Sequence, residues 1–183
     1  MINILYRKNQ KGFSLIELMV VVVILSLMVL GLVTFFTGGA RSWVSGQGQL
    51  KAQREARQAI DQIVRKIREG KNVKINSTST SILFITPFDE SLIIRYHLNI
   101  NTRKLYINTT NEVINNVLNL SFTYFDNNGD QICDISGIPI NPLDSDAASK
   151  VSKVHIYLQV DVDGDEKPDI TLNTDVNLRN FGL

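Results

Sequence analysis

The chain has 183 residues with 19 basic and 18 acidic side chains, so its formal net charge is +1; apolar residues make up 44% and the mean hydropathy is close to zero. These averages exclude a disordered acidic tail, a collagen and a polytopic membrane protein. One cysteine, Cys133, and two histidines, His97 and His155, exclude an intramolecular disulfide framework, a multi-cysteine zinc site and a histidine-rich metal centre.

The averages conceal three segments. Residues 1–12 carry Arg7, Lys8 and Lys11 and no acid. Residues 13–36 are almost wholly apolar, and no charge lies between Glu17 and Arg41. At a rise of ~1.5 Å per residue this run makes a helix about 36 Å long, enough to cross a bilayer core. Residues 37–69 hold seven bases against three acids, and residues 70–183 nine bases against fourteen acids. The near-neutral total is a cancellation.

The apolar run admits three readings. A secretory signal peptide would have an apolar core of about 7–15 residues and a small-residue cleavage site; this run is longer, starts near an acid and continues as a helical pattern. A signal anchor fits the length, with the leader cations holding the amino terminus in the cytoplasm. A segment first anchored and later withdrawn into a helical bundle fits as well, and Glu17 favours it. A carboxylate in an apolar span is costly and calls for a partner. The alternative for Glu17 is an acid near the helix start, reaching to the interface and favoured by the helix dipole.

The run Lys11-Gly12-Phe13-Ser14-Leu15-Ile16-Glu17-Leu18-Met19-Val20 closely resembles the processing site of type IV prepilins and type II secretion pseudopilins. The resemblance implies cleavage between Gly12 and Phe13 by a membrane aspartyl prepilin peptidase, then methylation of the new amino terminus. A Gly before the cut suits close approach, because no side chain blocks the backbone. It also implies that Glu17 faces the amino terminus of a neighbouring subunit, a pairing that fits a carboxylate in a low-dielectric core. The partners implied are other pilins or pseudopilins, the peptidase and, before assembly, the bacterial inner membrane, with the head outside the cytoplasm. Many major pilins have a proline about two-thirds along this helix. Residues 13–36 have none, and Gly31 and Gly38-Gly39 are the obvious weak points, which points to a minor subunit.

The expected organisation is a basic leader over residues 1–12, a membrane and assembly helix over 13–39, and a head over 40–183. The head opens with an amphipathic helix over 40–69, with Trp43, Leu50, Ala56, Ile60, Ile63, Val64 and Ile67 on one face. Glu69-Gly70, with Asn72 beyond, predicts its stop. Its seven cations would be the DNA- or lipid-binding candidates, but they are interleaved with Gln and acids and read as the solvated back of a helix.

After Gly70 the pattern turns to period two, predicting strands at 73–76, 82–86, 92–99, 104–108, 119–125, 153–161 and 169–178, with a turn at 99–103. Residues 113–118 fit either a short helix or an extended lead-in. The predicted fold class is α+β, a long amino-terminal helix packed on an antiparallel sheet. The element order, with Leu120 to Asp126 and the closing Leu178-Arg179-Asn180, looks like the minor pilin W and pseudopilin J group.

Eleven of the fourteen acids after residue 69 fall between Asp126 and Asp175. Asp161, Asp163, Asp165 and Asp169 alternate at positions 1, 3, 5 and 9 of a loop. Calcium takes six to eight oxygens, and such spacing can aim several at one point. The loop resembles the short Asp-rich calcium loops of dockerin-like and thrombospondin-type repeats. It departs from an EF-hand in lacking Gly at position 6 and in having Leu172 at position 12. A plain hairpin turn at Asp163-Gly164 is the alternative. Asp126, Asn128 and Asp130 also alternate, with Asp134 further on, although Asn128-Gly129 is a hairpin signal by itself. Cofactors are otherwise not called for. Cys133 reads as a packed or half-buried thiol, with cross-linking of subunits outside the cytoplasm as the alternative, and the two histidines lie in strand patterns without a nearby nucleophile and base. Structural subunit, DNA- or surface-binding tip pilin and membrane-anchored enzyme are therefore the competing functions, the first favoured by the junction and the last supported by no motif.

Overall fold

The structure, a computed structural model, describes residues 12–87 and 89–179; the leader cations Arg7, Lys8 and Lys11 and the terminal Asn180 lie outside the described residues. The chain divides into two compact units, Met1–Gly46 and Gln47–Leu183. Helix α1 covers Leu15–Arg68. It begins where the Leu18 amide donates to the Ser14 carbonyl at 3.2 Å. Gly31, Gly38 and Gly39 do not interrupt it. Each glycine costs a helix roughly 1 kcal/mol relative to alanine, and α1 runs through all three.

In the first unit the aliphatic side chains point outward on every side; from Phe13 to Phe36 the large apolar residues are all about half exposed or more. Hydroxyls within the run are satisfied locally. Ser26 Oγ donates to the Val22 carbonyl at 2.7 Å and Thr37 Oγ1 to the Val33 carbonyl at 2.9 Å. Such internal bonding is what an apolar solvent requires of a polar group.

In the second unit α1 becomes one-sided. Ala56, Ala59, Ile60, Ile63 and Ile67 are buried and recur at helical spacing. Leu50, expected on the same face, is exposed, because the core extends along α1 only as far as Ala52; Trp43, also expected there, lies in the first unit and is exposed. The helix stops as predicted, with Glu69 N donating to Arg65 O and Gly70 N to Ile67 O. The glycine has a steric reason here: a Cβ on Gly70 would lie 2.8 Å from the Ile67 carbonyl and 3.1–3.2 Å from Leu178 and Phe84 carbons.

The expected antiparallel sheet is in fact two. The first has strands in the order β1 (Asn72–Val73), β2 (Ser81–Thr86), β3 (Asp89–Asn99), β4 (Lys104–Ile107) and β5 (Asn111–Ile114). The second is β6 (Val117–Phe125), β7 (Lys153–Val160) and β8 (Ile170–Asn177). All neighbours are antiparallel. Phe84, Tyr96 and Leu105 of the first sheet join Leu120, Ile156 and Leu158 of the second, with Ile63 and Ile67 of α1, in one core. The sheets part at residues 115–116, where Asn116 takes φ +58 and the chain cannot continue extended. Residues 113–118 are accordingly the end of β5 and the start of β6.

The strand expected at 73–76 ends early, since Asn76 adopts φ +65. The 99–103 turn forms as expected, with Asn99 Oδ1 accepting from the Asn101 and Thr102 amides. Between β6 and β7 the chain makes an excursion that includes helix α2 (Ser145–Lys150), capped by Asp144, whose Oδ1 accepts from Ala147 N at 2.7 Å.

Candidate functional site

At the amino-terminal junction residues 12–14 precede the first turn of α1 without regular structure, and all three are exposed. Nothing lies within 4 Å of a Cβ built on Gly12, and Phe13 is 84% exposed. An enzyme can therefore reach the backbone between them. Glu17 sits in the first turn of α1, where the unpaired amides favour an acid, and it is exposed. The carboxylate is thus presented outward, within an all-round apolar surface, rather than used inside this chain's own core.

The 161–169 segment is a nine-residue loop between β7 and β8, which replaces the two-residue hairpin at Asp163-Gly164. One carboxylate oxygen from each of Asp161, Asp163 and Asp169 lies within 4.8 Å of the others. Asp165 does not join them; its Oδ1 accepts from Lys167 N at 2.9 Å and its Oδ2 faces Lys167 Nζ at 3.4 Å. Asp161 is buried, at 2% exposed. Its Oδ1 accepts from Gly164 N at 2.7 Å, and its Oδ2 from Glu166 N at 3.1 Å. The same Oδ2 lies 3.7 Å from Arg103 Nη1, while Arg103 Nη2 donates to Glu166 at 2.8 Å. Asp169 Oδ2 accepts from Val162 N at 2.7 Å. The donor set is the hard oxygen chemistry that calcium takes, but the buried charge already faces a guanidinium. Arg103 sits 58 positions earlier in the chain, in the turn between β3 and β4, and no local signal ties it to the loop.

Of Asp126, Asn128 and Asp130, the first two meet through their side chains, Asn128 Nδ2 donating to Asp126 Oδ2 at 3.3 Å. Asp126 Oδ1 accepts from the amides of Asn128 (2.8 Å) and Asp130 (3.0 Å), closing a turn on itself. The amide of Asp130 first, then that of Asn128, holds the Asp126 carboxyl below its ordinary value of 3.8.

The structure also gives His155 a partner the sequence order hid: Nδ1 lies 2.6 Å from Asp175 Oδ1 across β7 and β8, with Thr123 its register partner on β6. His97 stacks on Tyr106 at 5.6 Å between ring centroids, and burial, followed by the charge of Arg95, holds its pKa below 6.5. The α1 cations are partly paired, Lys51 with Glu55 at 3.8 Å and Lys66 with Glu69 at 3.3 Å.

No curated protein matches the chain. Residues 7–33 do match the family model described as the prokaryotic N-terminal methylation motif, a span that holds the Gly12–Phe13 junction, Glu17 and most of the apolar run. The match is to this amino-terminal motif and leaves the head, residues 40–183, outside it.

Proposed function

We propose that the chain is a minor pilin or minor pseudopilin, nearest in pattern to the W and J group, that primes or tips a type IV pilus or a type II secretion pseudopilus. The observation that carries this reading is the methylation motif placed on an accessible junction, directly ahead of a helix that is apolar on every side. The peptidase cuts after Gly12 and methylates Phe13. The apolar helix holds the subunit in the inner membrane, amino terminus inward, until it exchanges lipid for neighbouring helices. Glu17 then meets the amino terminus of a neighbour, which sets register more than it adds stability. The role of the chain is structural. Mass spectrometry of the mature protein tests the processing step: a methylated Phe13 is expected at the amino terminus, and an uncut chain or a start near Ala40 would remove the basis of the reading. The interleaved acids along α1 and the acidic head weigh against a DNA-binding tip. Salt-dependent DNA binding by the processed chain would reverse that.

A second reading concerns the 161–169 loop. The convergence of Asp161, Asp163 and Asp169 favours calcium binding there, the ion taking over the charge that Arg103 now meets. Calorimetric titration of the full chain with calcium is expected to show one site that is lost in Asp163→Asn; no heat of binding would end this reading.

A further inference from the structure

The edges of a sheet expose main-chain groups, and folded proteins cover, shorten or charge them. In the first sheet the edge strands β1 and β5 have two and four residues, and the pairing of β5 carries a register shift. In the second sheet the far side of β6 is taken: Phe122 N donates to Ser79 O at 2.7 Å and Ile132 N to Tyr124 O at 2.9 Å. Strand β8 is different. Its eight residues pair with β7 without a shift, and among the described residues no strand lies on its other side. It holds no lysine and no proline. Its one charge, Asp175, is held on its own sheet, 2.6 Å from His155 Nδ1 and 4.0 Å from Lys153 Nζ.

The bonds around β7 show which groups are left over. Phe122 N turns to Ser79, away from β7, so Thr123 and the other odd residues of β6 pair with His155 and the odd residues of β7. The even residues of β7 therefore face β8, where they pair with Ile170, Leu172, Thr174 and Val176. The Leu178 amide, bonded to Ser152 O at 2.9 Å, continues the same alternation. The amides and carbonyls of Thr171, Asn173, Asp175 and Asn177 point out of the sheet edge, and among the described residues no hydrogen bond reaches these main-chain groups. Along the same strand the core-side row is buried at Ile170 and Val176 but only half-buried at Leu172 and Thr174. The main chain and the core-side row are both uncovered along one edge.

We infer that an extended segment of a different subunit adds to β8 as a further strand, its main chain bonded to Thr171, Asn173, Asp175 and Asn177. Such an addition takes affinity from main-chain bonds and selectivity from alternate side chains. The segment needs apolar side chains at alternate positions, to lie beside Leu172 on the core side, and polar ones between them, to lie beside Asn173 and Asp175. The loop that leads into β8 exposes four acids, Asp163, Asp165, Glu166 and Asp169, and one base, Lys167. A cation therefore suits the end of the segment nearest that loop. A subunit that primes or tips a fibre holds a single place at its end, so the segment belongs to another chain; this choice rests on the minor-subunit reading above.

Hydrogen exchange, read amide by amide on the full chain, tests it by comparing the chain alone in detergent with the assemblies captured from membranes and fibres through a tag on the chain. Alone, the amides of Leu172, Thr174 and Val176 should exchange slowly and those of Thr171, Asn173 and Asp175 fast. In the assemblies the second set should slow about tenfold, so that protection becomes continuous along the strand. Asn173→Pro removes an outward N–H without touching the ladder to β7. It should lower the amount of other subunits captured about tenfold, where Asn173→Ala leaves it unchanged. Assemblies that retain the alternate pattern overturn the strand addition and leave the minor-subunit reading standing. A chain captured without other processed subunits overturns both. Asn173→Cys in two differently tagged copies, both carrying Cys133→Ser, identifies the occupant: a disulfide joining the two tags makes it a second copy and overturns the choice of another chain. Should Asn173→Pro unfold the head, the exchange pattern of the unaltered chain decides by itself.

Discussion

Residues 15–36 and residues 52–67 belong to one helix yet meet opposite fates. In the earlier stretch Leu, Val, Ile and Phe occupy every side of the helix, and all of them are exposed. In the later stretch apolar residues return only at helical spacing, and Ile60, Ile63 and Ile67 are at most 7% exposed. A helix with one apolar stripe can be satisfied by its own head; a helix apolar all round needs a surround of lipid or other helices. The two stretches therefore carry different functions, the later holding the head together and the earlier holding the protein to its surroundings.

The contrast predicts unequal costs for similar truncations. Ile63→Ala should destabilise the full chain in detergent by about 2–5 kcal/mol in chemical denaturation, because it opens a cavity among buried side chains. Val22→Ala should leave the denaturation midpoint unchanged; equal losses at the two positions would erase the distinction. Glu17→Val makes the earlier stretch more apolar, so membrane insertion and cleavage should persist. Recovery in assembled fibres should nevertheless fall about tenfold, a difference of roughly 1.4 kcal/mol, and wild-type recovery would remove the pairing role of Glu17.

A loss of stability smaller than that at Ile63 is expected from the Arg103 turn. Arg103→Ala leaves the buried Asp161 carboxylate to two backbone amides alone. The cost should be about 1–2 kcal/mol by denaturation, below the value for a fully buried pair because the arginine is 41% exposed. An unchanged midpoint would show that the amides suffice. The smallest effect lies in the 126–130 turn. Asp126 has a folded-state pKa below 3.8, so the turn's contribution is present above that value and lost as pH falls through the lower folded value. An NMR titration should find the Asp126 midpoint below 3.8; a midpoint at or above it would contradict the hydrogen-bonded turn.

Much of this was legible in residue order. The Gly12-Phe13 junction, the uncharged run and the Ile60, Ile63, Ile67 stripe are local patterns, and the α+β class follows from a long helix pattern followed by period-two strands. The calcium spacing was legible as well, but not its outcome: Asp161, Asp163 and Asp169 converge while Asp165 turns to Lys167. Helix α2, six residues long, offers too few turns for periodicity, although Asp144 ahead of Ala147-Ala148 was a capping signal.

The sequence by itself determined the Gly12-Phe13 junction at which we propose the cut, which stretch seeks an apolar surround and which helix face seeks a core. These are consequences of spacing along the chain, where the physics is local. Only the tertiary structure decided that the head has two sheets, that Arg103 stands against Asp161, that His155 meets Asp175 and that Leu50 and the outer edge of β8 are left uncovered. Each of these joins residues far apart in sequence or turns on where the core ends, and burial is a property of what packs on a residue rather than of the residue alone.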